Sequence, residues 1–151
     1  MTVADTEDEQ WSMLLNDQAC FALYAASRAL THLYRPVLED LGLTYPQYLV
    51  LLVLWERGSV PVRELGTALH LDYGTLTPLL KRLEAEGLIT RTRSQADERV
   101  VQLRLTDKGR ELRRQAESIP GCILASSRLT LEKLQRLQQE LVELREQLQA
   151  P

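Results

Sequence analysis

The chain predicts a mainly α-helical fold with one small β-hairpin, in the order of a winged helix-turn-helix, and three observations carry that prediction. Residues 62–69 have helical spacing, with Leu65, Ala68 and Leu69 on one side. A tight connection, His70-Leu71-Asp72, leads into a second helical run that carries Leu76, Leu79, Leu80 and Leu83 and closes at Gly87. Two β-like runs follow, Leu88–Arg93 and Arg99–Leu105, joined by the polar turn Ser94-Gln95-Ala96-Asp97-Glu98. Helix, short turn, helix, hairpin is the winged helix-turn-helix order.

The flanking elements follow from the same rules. From Ser12 onward Leu14, Leu15, Cys20, Leu23, Ala26, Ser27 and Leu30 recur at helical steps, which puts Cys20 on the buried face of a first helix. Pro36 is expected to end or bend that helix before residues 37–42. Thr44 and Gln47 form a capping box, with Pro46 in the first turn where its missing N–H is harmless. Residues 48–57 are apolar almost all round and too short to span a membrane, so they predict a buried central helix. Pro78 is expected to delay the second helix of the pair until Thr75, after an entry turn of Asp72, Gly74 and Thr75, giving a recognition helix over 75–86.

Thr106 caps a helix over about 107–118, which Ile119-Pro120-Gly121 breaks. Leu134, Leu137, Leu141, Leu144 and Leu148 then form a heptad-like seam on a charged, Gln-rich helix. That seam fits packing against the N-terminal helix of the same chain, and it fits better a dimer interface built from both chain ends. The expected organisation is a disordered acidic N-terminus (1–11), a helical dimerisation region (12–45 and 107–151) and a winged helix-turn-helix DNA-binding domain (46–106).

Charge placement points to nucleic acid. Between Arg91 and Arg114 eight basic residues face four acids, a local net charge of +4, whereas the whole chain carries −3. Phosphate-neutralising groups supply most sequence-independent DNA affinity, so a basic hairpin on an acidic protein is a local footprint. A solvated amphipathic hairpin is the blander reading. The start of the chain is acidic and no run of 18 or more apolar residues occurs, which predicts a soluble, cytoplasmic protein without a secretory signal or membrane span. Two cysteines in such a compartment are expected as reduced thiols rather than a structural disulfide.

No glycine pattern suits phosphate binding, and His32 and His70 are too scattered for a metal site, so no cofactor is expected. The cysteines are the only reactive groups to weigh. Most buried cysteines are inert small hydrophobes, and no Lys, Arg or His lies within a turn of Cys20 to stabilise a thiolate. Cys122, just after Pro120-Gly121, has still less local context.

A family resemblance changes that balance. The run from Leu71 through Pro78 to Glu84, followed by Gly87-Leu88-Ile89 and Asp97-Glu98-Arg99, resembles the MarR family of dimeric winged-helix regulators. Asn16-Asp17-Gln18-Ala19-Cys20-Phe21-Ala22-Leu23-Tyr24 and Thr44-Tyr45-Pro46-Gln47-Tyr48 resemble its organic-hydroperoxide-sensing branch, OhrR. The likeness runs from about Asn16 to the last helix.

The resemblance implies that Cys20 is the peroxidatic thiol, oxidised first to a sulfenic acid. It implies that Tyr34 and Tyr45 of the partner subunit donate hydrogen bonds to that sulfur, with Tyr24 nearby. Some members of the branch use one cysteine and small thiols. Others carry a second cysteine at the start of the late helix, and Cys122 matches that type as the resolving thiol. The expected protein is a homodimeric repressor, not an enzyme, that releases a pseudo-palindromic operator when organic hydroperoxides oxidise it.

On DNA, Thr75, Thr77, Lys81 and Arg82 are expected at bases or phosphates of the major groove. Arg99, oriented by Asp97, is expected in the minor groove, with Arg91 and Arg93 near phosphates. Phe21, Leu23, Leu51 and Trp55 suggest an apolar lining suited to bulky peroxides. The main alternative is a MarR-type repressor controlled by a small aromatic or phenolic ligand, with inert cysteines. A thiol peroxidase and a winged-helix adaptor that ignores DNA are further competitors.

Overall fold

The computed structural model describes residues 12–151, so the disordered N-terminus expected over 1–11 lies outside the described residues. The chain divides into two compact units, residues 1–32 and 33–151. The first holds a 3-10 turn, Leu15–Asp17, and most of helix α1 (Ala19–Glu39), whose last turns belong to the second unit. There α2 (Tyr45–Arg57), β1 (Ser59–Pro61), α3 (Val62–Leu69), α4 (Tyr73–Ala85), β2 (Ile89–Arg93), β3 (Val101–Leu105), α5 (Asp107–Ala116), α6 (Ile119–Ser127) and α7 (Leu131–Gln149) follow in order. The mainly helical fold with a small β wing is as predicted.

Pro36 does not end α1. A proline costs one helical hydrogen bond, and the helix runs on to seat Leu38 in the core. It then stops in a Schellman-type turn: Gly42 takes φ 69°, the Leu43 N–H donates to the Leu38 carbonyl, and Leu38 and Leu43 are buried together. Cys20 is exposed, as are Phe21, Leu23 and Tyr24, so the expected burial of this face does not occur in the single chain. The helix starts only at Ala19, so Leu14 and Leu15 lie outside the helix expected from Ser12. The spacing holds from Cys20 on, and among the described residues that face is left uncovered.

The capping box forms as expected. The Thr44 N–H donates to Gln47 Oε1 at 2.9 Å, and the Gln47 N–H donates to Thr44 Oγ1 at 3.4 Å. Buried Tyr48, Val50, Leu51, Val53 and Leu54 make α2 the core helix, although Leu52 remains 40% exposed. Recognition helix α4 begins at Tyr73, earlier than Pro78 suggested. Asp72, rather than Thr75, is the decisive start signal: its carboxylate accepts the Thr75 N–H at 2.7 Å.

The sheet is antiparallel with order β1-β3-β2. Short β1 has too little sequence to show an alternating pattern and was not foreseen. Val60 opposite Leu103, and Ile89 opposite Leu105, carry its buried face. At the wing root Leu88 O accepts the Thr106 N–H, and Thr106 Oγ1 accepts the Gly109 N–H at 3.0 Å. Trp55 Nε1 donates to the Gly109 carbonyl at 2.9 Å. A Cβ at Gly109 would lie 2.2 Å from the Leu88 carbonyl oxygen, a backbone atom that cannot swing aside. Gly109→Ala is therefore expected to cost about 1–3 kcal/mol through forced separation of α5 from the wing root. Urea unfolding checks this, and an unchanged midpoint contradicts it.

Candidate functional site

The basic surface grows out of the packing of α4. Leu76, Leu80 and Leu83 share its buried face, so Thr75, Lys81 and Arg82 fall on exposed positions. Thr77 is half-buried, and its hydroxyl donates to the Tyr73 carbonyl at 2.8 Å. Lys108 Nζ donates to the Glu86 carbonyl at 2.8 Å and so closes the far end of the helix.

In the wing, Asp97 Oδ1 accepts the backbone N–H of Arg99 at 3.0 Å, and the Val100 N–H donates to the Asp97 carbonyl. This is an Asx-type turn. Asp97 orients Arg99 through the main chain, not through a side-chain ion pair, since at a separation of two residues the carboxylate reaches the amide first. The Arg99 side chain stays exposed, as does Arg93.

Arg91 is placed differently from its neighbours. Its Nε donates to Glu84 Oε2 at 3.0 Å and its Nη2 donates to Glu84 Oε1 at 3.4 Å. That pairing holds the Glu84 carboxyl below the ordinary carboxylate range and raises the Arg91 guanidinium, in both cases chiefly through the side-chain hydrogen bond. The Thr75 hydrogen bonds likewise hold Asp72 low. Sequence reasoning missed Glu84. Its one signal was its place four residues after Leu80, at the edge of the buried stripe.

The thiol-related residues fall in both units. In the first, Cys20 and Tyr24 sit one turn apart on α1, and the Arg28 guanidinium lies 5.5 Å from the centre of the Tyr24 ring. In the second, Cys122 is exposed on α6, and Tyr34, Tyr45 and Tyr48 form a cluster. The Tyr34 and Tyr45 ring centres are 4.8 Å apart, and Tyr48 meets Trp55 edge-on at 6.3 Å. Tyr48 was quoted in the sequence motif but given no role; its place three residues after Tyr45 on α2 sets the two rings side by side in a tilted contact, centres 6.4 Å apart.

Burial raises the phenol pKa of all three tyrosines, and proximity to Tyr34 raises Tyr45 and Tyr48 further. The three hydroxyls therefore stay protonated as donors at neutral pH. Among the described residues no cluster of His, Cys, Asp and Glu could hold a metal, and no helix is long and apolar enough to cross a membrane.

The chain is similar to known proteins. A family model described as transcriptional regulator SarA/Rot matches residues 32–115. The organic hydroperoxide resistance transcriptional regulator of Bacillus subtilis is 51% identical over 90% of this chain and 92% of its own length. The chain belongs to the MarR family of winged-helix transcriptional regulators, in its organic hydroperoxide regulator branch.

Among solved structures of this family, reduced AbfR bound to DNA superposes with a TM-score of 0.73 at 39% identity, covering 89% of this chain and 94% of that one. AbfR, a Staphylococcus epidermidis protein, has also been solved in a disulfide-formed state, with a TM-score of 0.63, 38% identity, and coverage of 86% and 91%.

The raised phenols generate a pH prediction. Below pH 10 the three tyrosines are neutral in folded and unfolded chains alike. Above it the unfolded chain ionises first, so stability falls as pH rises towards the folded-state values. Thermal unfolding between about pH 9 and pH 11.5 is expected to show this decline, and a Tyr34→Phe/Tyr45→Phe variant is expected to flatten it.

Proposed function

We propose that this MarR-family chain is a homodimeric repressor that binds operator DNA when reduced and releases it when an organic hydroperoxide oxidises Cys20. The observation that carries the reading is the exposure of both Cys20 and Cys122, which leaves each thiol reachable from outside its own fold. The likeness to a relative solved both reduced on DNA and in a disulfide-formed state supports it.

In the proposed dimer, residues 12–45 and 107–151 of two copies pair, and residues 46–106 of each read the duplex. Exposed Phe21 and Leu23, and the exposed seam of Leu137, Leu141, Leu144 and Leu148, are the apolar surfaces a second copy would cover. Tyr34 and Tyr45 supply protonated hydroxyls that can stabilise a thiolate across that interface, which answers the lack of a cation within a turn of Cys20.

The chemistry then balances in two steps. The Cys20 thiolate attacks the peroxide oxygen distal to the organic group, the O–O bond breaks, and the alkoxide leaves and takes a proton as the alcohol. Sulfur is oxidised by two electrons to the sulfenic acid. The partner subunit's Cys122 thiol attacks that sulfur, an S–S bond forms, and water leaves. A disulfide requires the two Cα atoms to come within about 7 Å, so forming it would shift the helices that carry the thiols and move the winged domains out of register with the two half-sites.

On the duplex, α4 would enter the major groove with Thr75, Thr77, Lys81 and Arg82, while Arg99 reaches the minor groove from the wing tip fixed by Asp97, and Arg93 meets phosphate.

A second reading rests on the open groove between α3 and α4, where Arg63, His70 and Tyr73 stand around Val62, Leu71 and Leu76. It could hold a small aromatic carboxylate, and release of DNA from a cysteine-free variant by such a ligand would favour it. Cys20→Ser is expected to bind duplex DNA normally and to remain bound after stoichiometric cumene hydroperoxide; release from this variant sinks the thiol mechanism. Cys122→Ser is expected to bind DNA but to form no dithiothreitol-reversible covalent dimer on a non-reducing gel. Lys81→Ala is expected to lower the slope of log affinity against log salt by about 0.9 per subunit, measured by titration over a salt series.

A further inference from the structure

The pair Glu84–Arg91 joins the two elements that carry the proposed DNA-reading side chains. Glu84 lies in the last turn of α4, and Arg91 stands at the middle of β2. Strand alternation puts Ile89, Arg91 and Arg93 on one face of β2, and Ile89 is buried in the core that also holds Leu80 and Leu83 of α4. The ion pair therefore continues the α4–β2 seam outward from where the core stops.

Its setting is unlike that of the other ion pairs among the described residues. Arg35–Glu39, Arg110–Asp107, Arg114–Glu111 and Arg136–Glu132 each link positions three or four residues apart within one helix, with side chains 60% or more exposed. Such pairs contribute little. Glu84–Arg91 spans two elements, with side chains 42% and 29% exposed, and two nitrogens of the guanidinium reach two carboxylate oxygens. A two-pronged contact fixes direction as well as distance. Among the described residues β2 is an edge strand paired with β3 alone, and beyond Ile89 the Glu84–Arg91 pair gives it a second lateral tether.

We propose that Glu84 and Arg91 form a brace that sets the angle between wing and recognition helix, and that Arg91 acts on DNA through this angle rather than by meeting a phosphate. The inference rests on the DNA-binding reading above and is independent of the thiols. A duplex presents its major groove and the flanking minor groove at a set separation, so reading both at once demands a fixed angle between α4 and the wing tip. Non-specific binding needs charge and not that angle. Glu84 and Arg91 are thus positioning residues for discrimination.

The sign of the effect separates this role from a charge effect. Removing an acid from a DNA-facing surface strengthens binding if charge alone matters. The brace requires the opposite for specific DNA. The test uses a duplex selected by the wild-type chain from a random-sequence pool, and a scrambled duplex of the same composition, each titrated over a salt series with wild type, Glu84→Gln, Arg91→Gln, the double variant and the charge swap Glu84→Arg/Arg91→Glu.

Glu84→Gln is expected to weaken the selected duplex about three- to tenfold, as a lost, partly shielded ion pair would, and to leave the scrambled duplex unchanged or slightly tighter. The double variant is expected to be no worse than either single one, and the swap to recover part of the discrimination. Thermal unfolding confirms that each variant is folded, and the swap keeps the test open if a single variant is not. Unchanged or tighter binding of Glu84→Gln to the selected duplex overturns the brace, as does equal loss on both duplexes. So does an Arg91→Gln variant that weakens both alike with a salt slope lower by about one, which is the signature of a phosphate contact. A wild-type chain that selects no duplex removes the DNA reading itself.

Discussion

The close approach of α5 to the wing root is the constraint on which the DNA-facing half of the molecule depends. Gly109 lies where a Cβ would strike the Leu88 carbonyl, its own carbonyl accepts the Trp55 indole, and its N–H is held by Thr106. Thr106 in turn donates to the Leu88 and Gly87 carbonyls, and Lys108 reaches the Glu86 carbonyl. The core helix, the end of the recognition helix, the root of the wing and the start of α5 thus meet within a few residues. Buried backbone groups left unpaired are costly, so this junction tolerates little rearrangement. What α4 and the wing present to a duplex is fixed from behind.

Electrostatics complete the surface by a division of labour among charges. Three carboxylates near the basic face are engaged: Asp72 caps α4, Glu84 holds Arg91, and Asp97 closes the wing turn. Asp72 and Glu84 are held ionised by those bonds. Their repulsion toward a polyanion is partly offset by the donors they face, while Lys81, Arg82, Arg93 and Arg99 stand exposed. A chain of net charge −3 can in this way carry a locally positive surface whose acids shape the scaffold.

The proposed thiol chemistry has a different physical basis. Three tyrosines hold each other in partial burial, which favours the neutral phenol and keeps every hydroxyl a donor. Cys20 and Cys122 are both exposed, and α1 leaves Phe21, Leu23 and Tyr24 uncovered beside Cys20 in one chain. Donors without an acceptor and apolar faces without a cover both point to a second copy as the missing component of the proposed sensor.

Much of this was legible from residues alone, because the signals are local. The Thr44–Gln47 capping box, the Thr106 cap, the Gly87 stop and the apolar run of α2 are set by groups within four residues of one another, and each formed as read. Boundaries that depend on a contest of local forces were less legible. Pro36 and Pro78 both sit inside helices, since core seating of Leu38 and capping by Asp72 outweigh one lost hydrogen bond.

Charge and family motifs marked Cys20, Cys122, the tyrosines and the basic wing as a set. Partners distant in sequence were invisible: Glu84 with Arg91, Trp55 with Gly109, and the short β1 beside β3. The exposure of Cys20 was invisible for the same reason. Helical periodicity tells which residues share a face, but only the packing of the folded chain decides whether that face is covered, and by what.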